Sequence, residues 1–308
     1  MSELYKNSGV DVQKADELTK KIKEKTQLNN IGRFSAVLSL PEFGEFSLVT
    51  TVDGIGTKIL PLLERNNFST IANDLIAMNL NDIICSGAKA VAFSDYIALN
   101  TVEPEKISEI IKELALQLKK YGCELTSGET SEMKVLIPQN KLDIAGFAVG
   151  IVQKNKTIPK ENIKKGDVII GLASSGIHSN GFSLIRKLFE ENKLSQKEFE
   201  TCLVPTKVYY NEVFELCQKN LIKSAANITG GGILHNLARA LSGKEFSVDF
   251  AKIPKQPIFE KLFQLCGEES YEVFNMGVGF CVISAPENVN AILSLLSSHN
   301  PFIFGEVE

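Results

Sequence analysis

Apolar positions fall into two rhythms along this 308-residue chain. Val12, Ala15, Leu18 and Ile22 recur at helical spacing among charged residues and predict an N-terminal helix, with Asp11 placed to cap it. Residues 104–121 repeat that rhythm more strongly, open on Pro104 and meet Gly122 just past their end, which predicts an amphipathic helix. Another helix is predicted from Ser69, read as its N-cap, to about Cys85. Segments 47–52, 89–99 and 142–153 predict strands, and 29–40 reads as an irregular lead into a strand. The polar stretch 154–167, with Pro159 and a closing Gly166-Asp167, is the best boundary. Beyond it 168–173 restarts as a buried strand. Helices are then predicted at 182–192, 207–220, 232–242, 257–266 and 286–297, with strands near 246–250 and 279–284. Strands and helices alternate in both halves, so the expectation is an α+β (mixed α/β) chain of two domains, 1–157 and 158–308: a sheet with helices, then a mixed sheet flanked by helices.

Composition narrows the function. Hydrophobic content of 44% and charged content of 23% are ordinary for a globular protein, and a net charge of −4 argues against a general nucleic-acid binder. No apolar run approaches membrane-spanning length, and Met1-Ser2-Glu3-Leu4-Tyr5-Lys6 lacks a signal core, so a cytoplasmic location is expected. The six cysteines are scattered without a Cys-x-x-Cys pair and read as buried thiols.

Five short patterns carry candidate chemistry. In Asp53-Gly54-Ile55-Gly56-Thr57-Lys58 a strand ends in an acid, and two glycines allow the backbone near a ligand. Asp53 could hold magnesium there while Thr57 and Lys58 meet phosphate oxygens. Taken alone, the segment is equally a strand-end turn with a surface lysine, and no G-x-x-x-x-G-K-[ST] loop occurs. Asn73-Asp74 and Asn81-Asp82 lie on one predicted helix, where Asp74 and Asn81 share a face and Asp82 adjoins it. Glu129, in Ser127-Gly128-Glu129-Thr130, reads as part of an acidic loop and is a third candidate metal acid. His178-Ser179-Asn180-Gly181 and Thr229-Gly230-Gly231-Gly232 each open a predicted helix with small polar or glycine residues, an arrangement suited to anions. Lys20, Lys21, Lys23 and Lys25 form a basic stretch that reads first as a solvated face, although Lys23 could swing over a nucleotide.

Taken in order, these residues resemble the aminoimidazole ribonucleotide synthetases, or phosphoribosylformylglycinamidine cyclo-ligases. Asp143-Ile144-Ala145-Gly146-Phe147, Pro205-Thr206-Lys207-Val208-Tyr209 and Phe274-Asn275-Met276-Gly277 extend the resemblance over nearly the whole chain. It implies ATP-dependent closure of formylglycinamidine ribonucleotide to 5-aminoimidazole ribonucleotide, by phosphorylation of the formyl oxygen and attack of nitrogen. It implies Asp53, Asp82 and Glu129 as Mg²⁺–ATP ligands, with Lys23, Thr57, Lys58, Asp74 and Asn81 around the nucleotide. His178, Ser179 and Asn180, with Thr229, Gly230, Gly231 and Gly232, are implied as substrate contacts. The base of the cyclisation stays open between His178, Asp143 and no protein base at all. It also implies a homodimer joined through the N-terminal sheets. Thiamine-monophosphate kinase, selenide-activating kinase and formylglycinamidine synthase share the superfamily plan, and a silent nucleotide-binding scaffold is the reading from another class. Departures from the pattern are the single glycine in residues 30–35, Asn227 where His is common, Ser127 for glycine, and Met133-Lys134-Val135.

Overall fold

The computed structural model describes residues 6–8, 12–26, 33–41 and 44–308. Asp11, the expected cap, and most of the segment around residue 30 lie outside them. The first half contains α1 (Val12–Thr26), β1 (Ala36–Ser39), β2 (Phe46–Gly54), α2 (Ile59–Glu64), α3 (Phe68–Ile84), β3 (Lys89–Leu99), α4 (Pro104–Leu118), β4 (Glu124–Glu132) and β5 (Leu142–Gln153). Its sheet has the order β1-β2-β5-β3-β4, antiparallel except for the β3–β4 pair. The second half contains β6 (Val168–Ala173), α5 (Phe182–Glu190), α6 (Gln196–Cys202), α7 (Tyr210–Gln218), β7 (Ser224–Asn227), α8 (Gly232–Ala240), β8 (Phe246–Val248), α9 (Pro257–Cys266), α10 (Ser270–Val273), β9 (Val278–Ser284), α11 (Val289–Leu295) and β10 (Pro301–Val307). Its sheet has the order β7-β9-β6-β10-β8, and each of these pairings is antiparallel.

Helix α3 is apolar on nearly every side because it is the central buried element of the first half. Its cap is Asn67, whose side chain accepts from the Thr70 N–H at 3.2 Å, and not Ser69, which lies inside the first turn. Helix α4 starts on Pro104 as expected, and its chain is turned by Gly122 at φ 62° after one 3-10 turn. Helix α6 carries a capping box between Ser195 and Glu198, a signal present in the sequence as Ser-x-x-Glu. The six cysteines are buried and unpaired. No described helix is long and apolar enough to cross a membrane.

Strand parity gives the first sheet two unlike faces. Val49, Thr51 and Asp53 of β2, Gly146 and Ala148 of β5, and Phe93, Asp95 and Ile97 of β3 face the helices. The intervening positions form an open face bearing Leu38, Phe46, Val52, Tyr96, Phe147 and Ile151, with Val52 67% exposed.

Candidate active site

Strand β2 delivers Asp53 to its end, and Asp82 lies in the last turn of α3 close to it. Burial pushes the Asp82 carboxyl up to about 8; the neighbouring Asp53 charge adds to this, while an Asn227 hydrogen bond and the Arg239 charge oppose it. Burial likewise pushes Asp53 up to about 6 against the Gly54 N–H, which donates to Oδ1 at 2.8 Å, and against Arg239. Asn227, from the second sheet, donates Nδ2 to Asp82 Oδ1 at 2.8 Å. The Arg239 guanidinium lies 4.0 Å over the Phe34 ring and donates to the Arg33 carbonyl and to Asn236 Oδ1. Two crowded, desolvated carboxyls hold protons tightly, or else gain from a divalent cation in their place. Magnesium takes one or two carboxylates and completes its shell with phosphate oxygens and water, so Asp53 and Asp82 fit that ion.

Glu129 does not join them in one chain. The segment read as an acidic loop is the edge strand β4, and its parity separates Glu129 from the acids. Asp53 pairs with Gly146, Gly146 with Asp95, and Asp95 with Gly128, so this row shares the helix-facing side. Glu129 is one residue on, opposite Tyr96, and projects to the open face. Accordingly no three Asp, Glu, His or Cys side chains among the described residues form a metal-binding group. The row exposes an acid not singled out before: Asp95 is buried in a notch that Gly128 leaves, where a Cβ would stand 2.6 Å from Asp95 Oδ1, and burial raises its carboxyl to about 6.

Lys58 also departs from expectation. It is 0% exposed, pairs with Asp74 Oδ2 at 2.8 Å and donates to the Val204 carbonyl at 2.7 Å, so it is enclosed and not presented to phosphate. The other polar atoms of α3 continue this seam. Thr206 N–H donates to Asp74 Oδ1 at 2.6 Å, Asn73 Nδ2 to Thr206 O at 2.7 Å, Asn81 Nδ2 to Lys207 O at 3.0 Å, and Tyr209 N–H to Asn81 Oδ1 at 2.9 Å. Asp74 and Asn81, expected around the nucleotide, thus tie residues 206–209 of the second half onto α3.

His178 borders the same seam. It is 3% exposed with φ 61°, and its Nε2 accepts from Ser175 N–H at 3.2 Å and, more weakly, from Lys207 N–H at 3.5 Å. Burial, then the Lys58 and Lys207 charges, depress its pKa to about 3. It is a neutral imidazole in the fold, with Nε2 as acceptor and the ring hydrogen on Nδ1. Ser179 Oγ lies 3.1 Å from Thr206 Oγ1 and is also engaged. Asn180 is half-exposed and faces Gly230. Asn236 Nδ2 gathers the carbonyls of Thr229, Gly230 and Gly232 at 2.8–3.3 Å. Gly232, at φ 68°, lies so close to the Tyr271 carbonyl that a Cβ would overlap it. Thr57 Oγ1 lies 3.2 Å from Ser183 Oγ, beside an open groove of about 540 Å³ that also touches Arg186 and Lys187. Lys23 is exposed on α1.

The N-terminal domain model described as AIR synthase related protein matches residues 33–152, and the corresponding C-terminal domain model matches 164–308. The chain belongs to the AIR synthase family. It is 42% identical to a phosphoribosylformylglycinamidine cyclo-ligase of Clostridium perfringens, over 97% of this chain and 95% of that protein. It is 39% identical to the enzyme of that name from Lactococcus lactis, over 96% and 93%. Among solved structures, AaThiL complexed with AMPPCP and TMP matches with a TM-score of 0.68 at 17% identity, over 94% of this chain and 89% of that one, a likeness of fold.

Within this AIR synthase chain, the charge of Asp53 reaches Asp82, and Asn180 lies beside Gly230 of the glycine loop. Asn227 and Arg239 had no local signal pointing to Asp82, since 145 residues separate the Asn227–Asp82 pair. Asp95 could have been found from Gly128: a glycine in a strand often marks close approach of another group.

Proposed function

We infer that this protein closes the imidazole ring of 5-aminoimidazole ribonucleotide from formylglycinamidine ribonucleotide, with conversion of ATP to ADP and phosphate. The cyclo-ligase relatives, aligned over nearly their whole length, support this reading together with the one observation that carries it in the fold: Asp82, hydrogen-bonded across the seam of the two halves to Asn227, feels the charge of Asp53, and the charge of Arg239 reaches both acids. In the reaction the formyl oxygen takes the γ-phosphoryl group, the amidine nitrogen attacks the activated carbon, and the carbon–oxygen bond breaks to release phosphate. A magnesium ion, when bound, would neutralise the triphosphate charge, and Asp53 and Asp82 would hold it. Thr57 and Ser183 offer hydroxyls on the neighbouring groove, and Asn180 with the loop from Thr229 to Gly232 offers amides to the ribonucleotide. Lys23 stands on an exposed helix that could cover the nucleotide.

His178 contributes shape. With a pKa of about 3 and Nε2 already accepting, it is not the base of the cyclisation. Asp143 sits on the open face of the sheet with Oδ1 accepting the Ile144 N–H, away from the acid pair. We take the proton lost from nitrogen to go to departing phosphate or solvent. We further propose a cytoplasmic homodimer whose subunits cover each other's open sheet face; Leu38, Phe46, Val52, Phe147 and Ile151 supply the apolar area. Glu129 then belongs to that interface. Substrate carrying ¹⁸O in the formyl group tests the chemistry: one ¹⁸O should appear in inorganic phosphate. Unlabelled phosphate accompanying ring formation in ordinary water would exclude O-phosphorylation.

A further inference from the structure

We infer that Asn227 is a positioning residue: its amide, reaching across from the second sheet, orients the Asp82 carboxylate toward a divalent cation that carries nucleotide phosphates. The inference rests on the reading of Asp53 and Asp82 as cation ligands.

Asn227 ends the buried strand β7, is itself 3% exposed, and pairs in register with Phe280 of β9. The next residue is tied in turn, Ile228 N–H donating to the Gly279 carbonyl at 3.1 Å. Its side chain therefore projects from a fixed post. The 2.8 Å hydrogen bond places Nδ2, which can only donate, on Asp82 Oδ1. That uses one lone-pair direction of Oδ1 and leaves Oδ2 for a ligand. It also fixes the rotation of the Asp82 carboxyl about its own axis. On the Asp82 side the backbone is held as well, since Ser35 Oγ donates to the Asp82 carbonyl at 3.1 Å. Two residues beyond Asn227 comes the loop whose carbonyls Asn236 gathers. Asn236 Oδ1 accepts from Arg239, the cation whose field reaches both acids. Asn227 thus stands between the glycine loop, two residues on in the chain, and Asp82, to which it is hydrogen-bonded.

The test compares the full-length protein with Asn227→Ala and Asn227→His. Isothermal titration measures binding of Mn²⁺–ATP and, separately, of ATP in EDTA; Mn²⁺ electron paramagnetic resonance counts bound metal; thermal melting monitors the fold. Loss of a hydrogen bond to a charged group should weaken Mn²⁺–ATP binding about tenfold or more in Asn227→Ala, and a ring N–H in Asn227→His should recover it to within about threefold. Affinity for metal-free ATP should stay unchanged in both. If Asn227→Ala does not fold, Asn227→Ser, too short to reach Asp82, takes its place. Wild-type Mn²⁺–ATP affinity in the shortened variant, or equal weakening with and without metal, overturns the inference. A wild-type protein that binds ATP equally with and without Mn²⁺ instead removes the cation-site reading beneath it.

Discussion

Replacing Lys58 by methionine separates two roles for this residue that the sequence could not tell apart. The Lys58 ammonium and the Asp74 carboxylate are both 0% exposed and lie 2.8 Å apart. Methionine keeps most of the stem volume and removes the charge, leaving Asp74 buried with only the Thr206 N–H at 2.6 Å and leaving the Val204 carbonyl without its donor. Stranding one member of a buried ion pair costs about 3–5 kcal/mol. At about 2–4 °C per kcal/mol, Lys58→Met should melt roughly 6–20 °C below wild type. The double variant Lys58→Met/Asp74→Leu should recover much of that loss, because an apolar pair often replaces a buried ion pair at little cost. It should still fall short of wild type by about 1–3 kcal/mol for the orphaned Thr206 N–H. Melting curves by circular dichroism give the order wild type, double variant, single variant. A phosphate-binding lysine would give another pattern: ATP affinity lost, melting temperature unchanged, and no rescue by the second substitution. That result would refute the enclosed-seam argument.

Further outcomes follow from the same geometry. His178→Asn, with a side chain that tolerates the left-handed backbone at that position, should keep the pH profile of kcat between pH 6 and 9, and its kcat should escape the roughly 10²–10⁴-fold loss expected when a general base is removed. Asp53 and Asp82 have folded pKa values raised from 3.8 to about 6 and about 8, so the folded state binds more protons than the unfolded one across that range. Metal-free protein should therefore lose stability as pH rises from about 4 to 8 and level off above it, and Asp82→Asn should flatten the trend; a pH series of melts reads this directly. Val52→Asp together with Phe147→Asp should turn a dimer into a monomer in light scattering behind size exclusion; an unchanged mass would place the subunit contact elsewhere. Gly232→Ala should be destabilised by about 1–3 kcal/mol from its backbone angle alone, before overlap with the Tyr271 carbonyl is counted, which denaturant unfolding would register.

Much of the fold was legible where side chains alternate or recur regularly. Strands β3, β5 and β6 fall at their predicted limits because half-buried or fully buried strands write their environment into the sequence. Strand β4 was not legible: its Glu-Leu-Thr-Ser-Gly-Glu-Thr-Ser-Glu run is held by pairing with β3 at the sheet edge, and propensity gave no hint of it. That one error moved Glu129 to the wrong side, since only a strand reading shows that Gly128 and Glu129 point oppositely. Four-residue β7 and glycine-interrupted β10 were missed for similar reasons, being short or irregular and stabilised by neighbours distant in sequence. At the site, the residue types of Asp53, Asp82 and the glycine loop were legible as candidates for handling an anion. Lys58, Asp74, Asn81 and His178 were identified as special, but burial decides what they do, and burial at a seam between distant segments is not written locally. Asn227 differs from its expected histidine and still offers a donor to Asp82.

The most direct test mixes purified protein with Mg-ATP, with and without formylglycinamidine ribonucleotide, and follows ADP and the aminoimidazole product together. ADP and aminoimidazole ribonucleotide formed one-to-one, and only with both substrates present, is the result this account predicts. Folded protein that releases no substrate-dependent ADP and forms no aminoimidazole would contradict it.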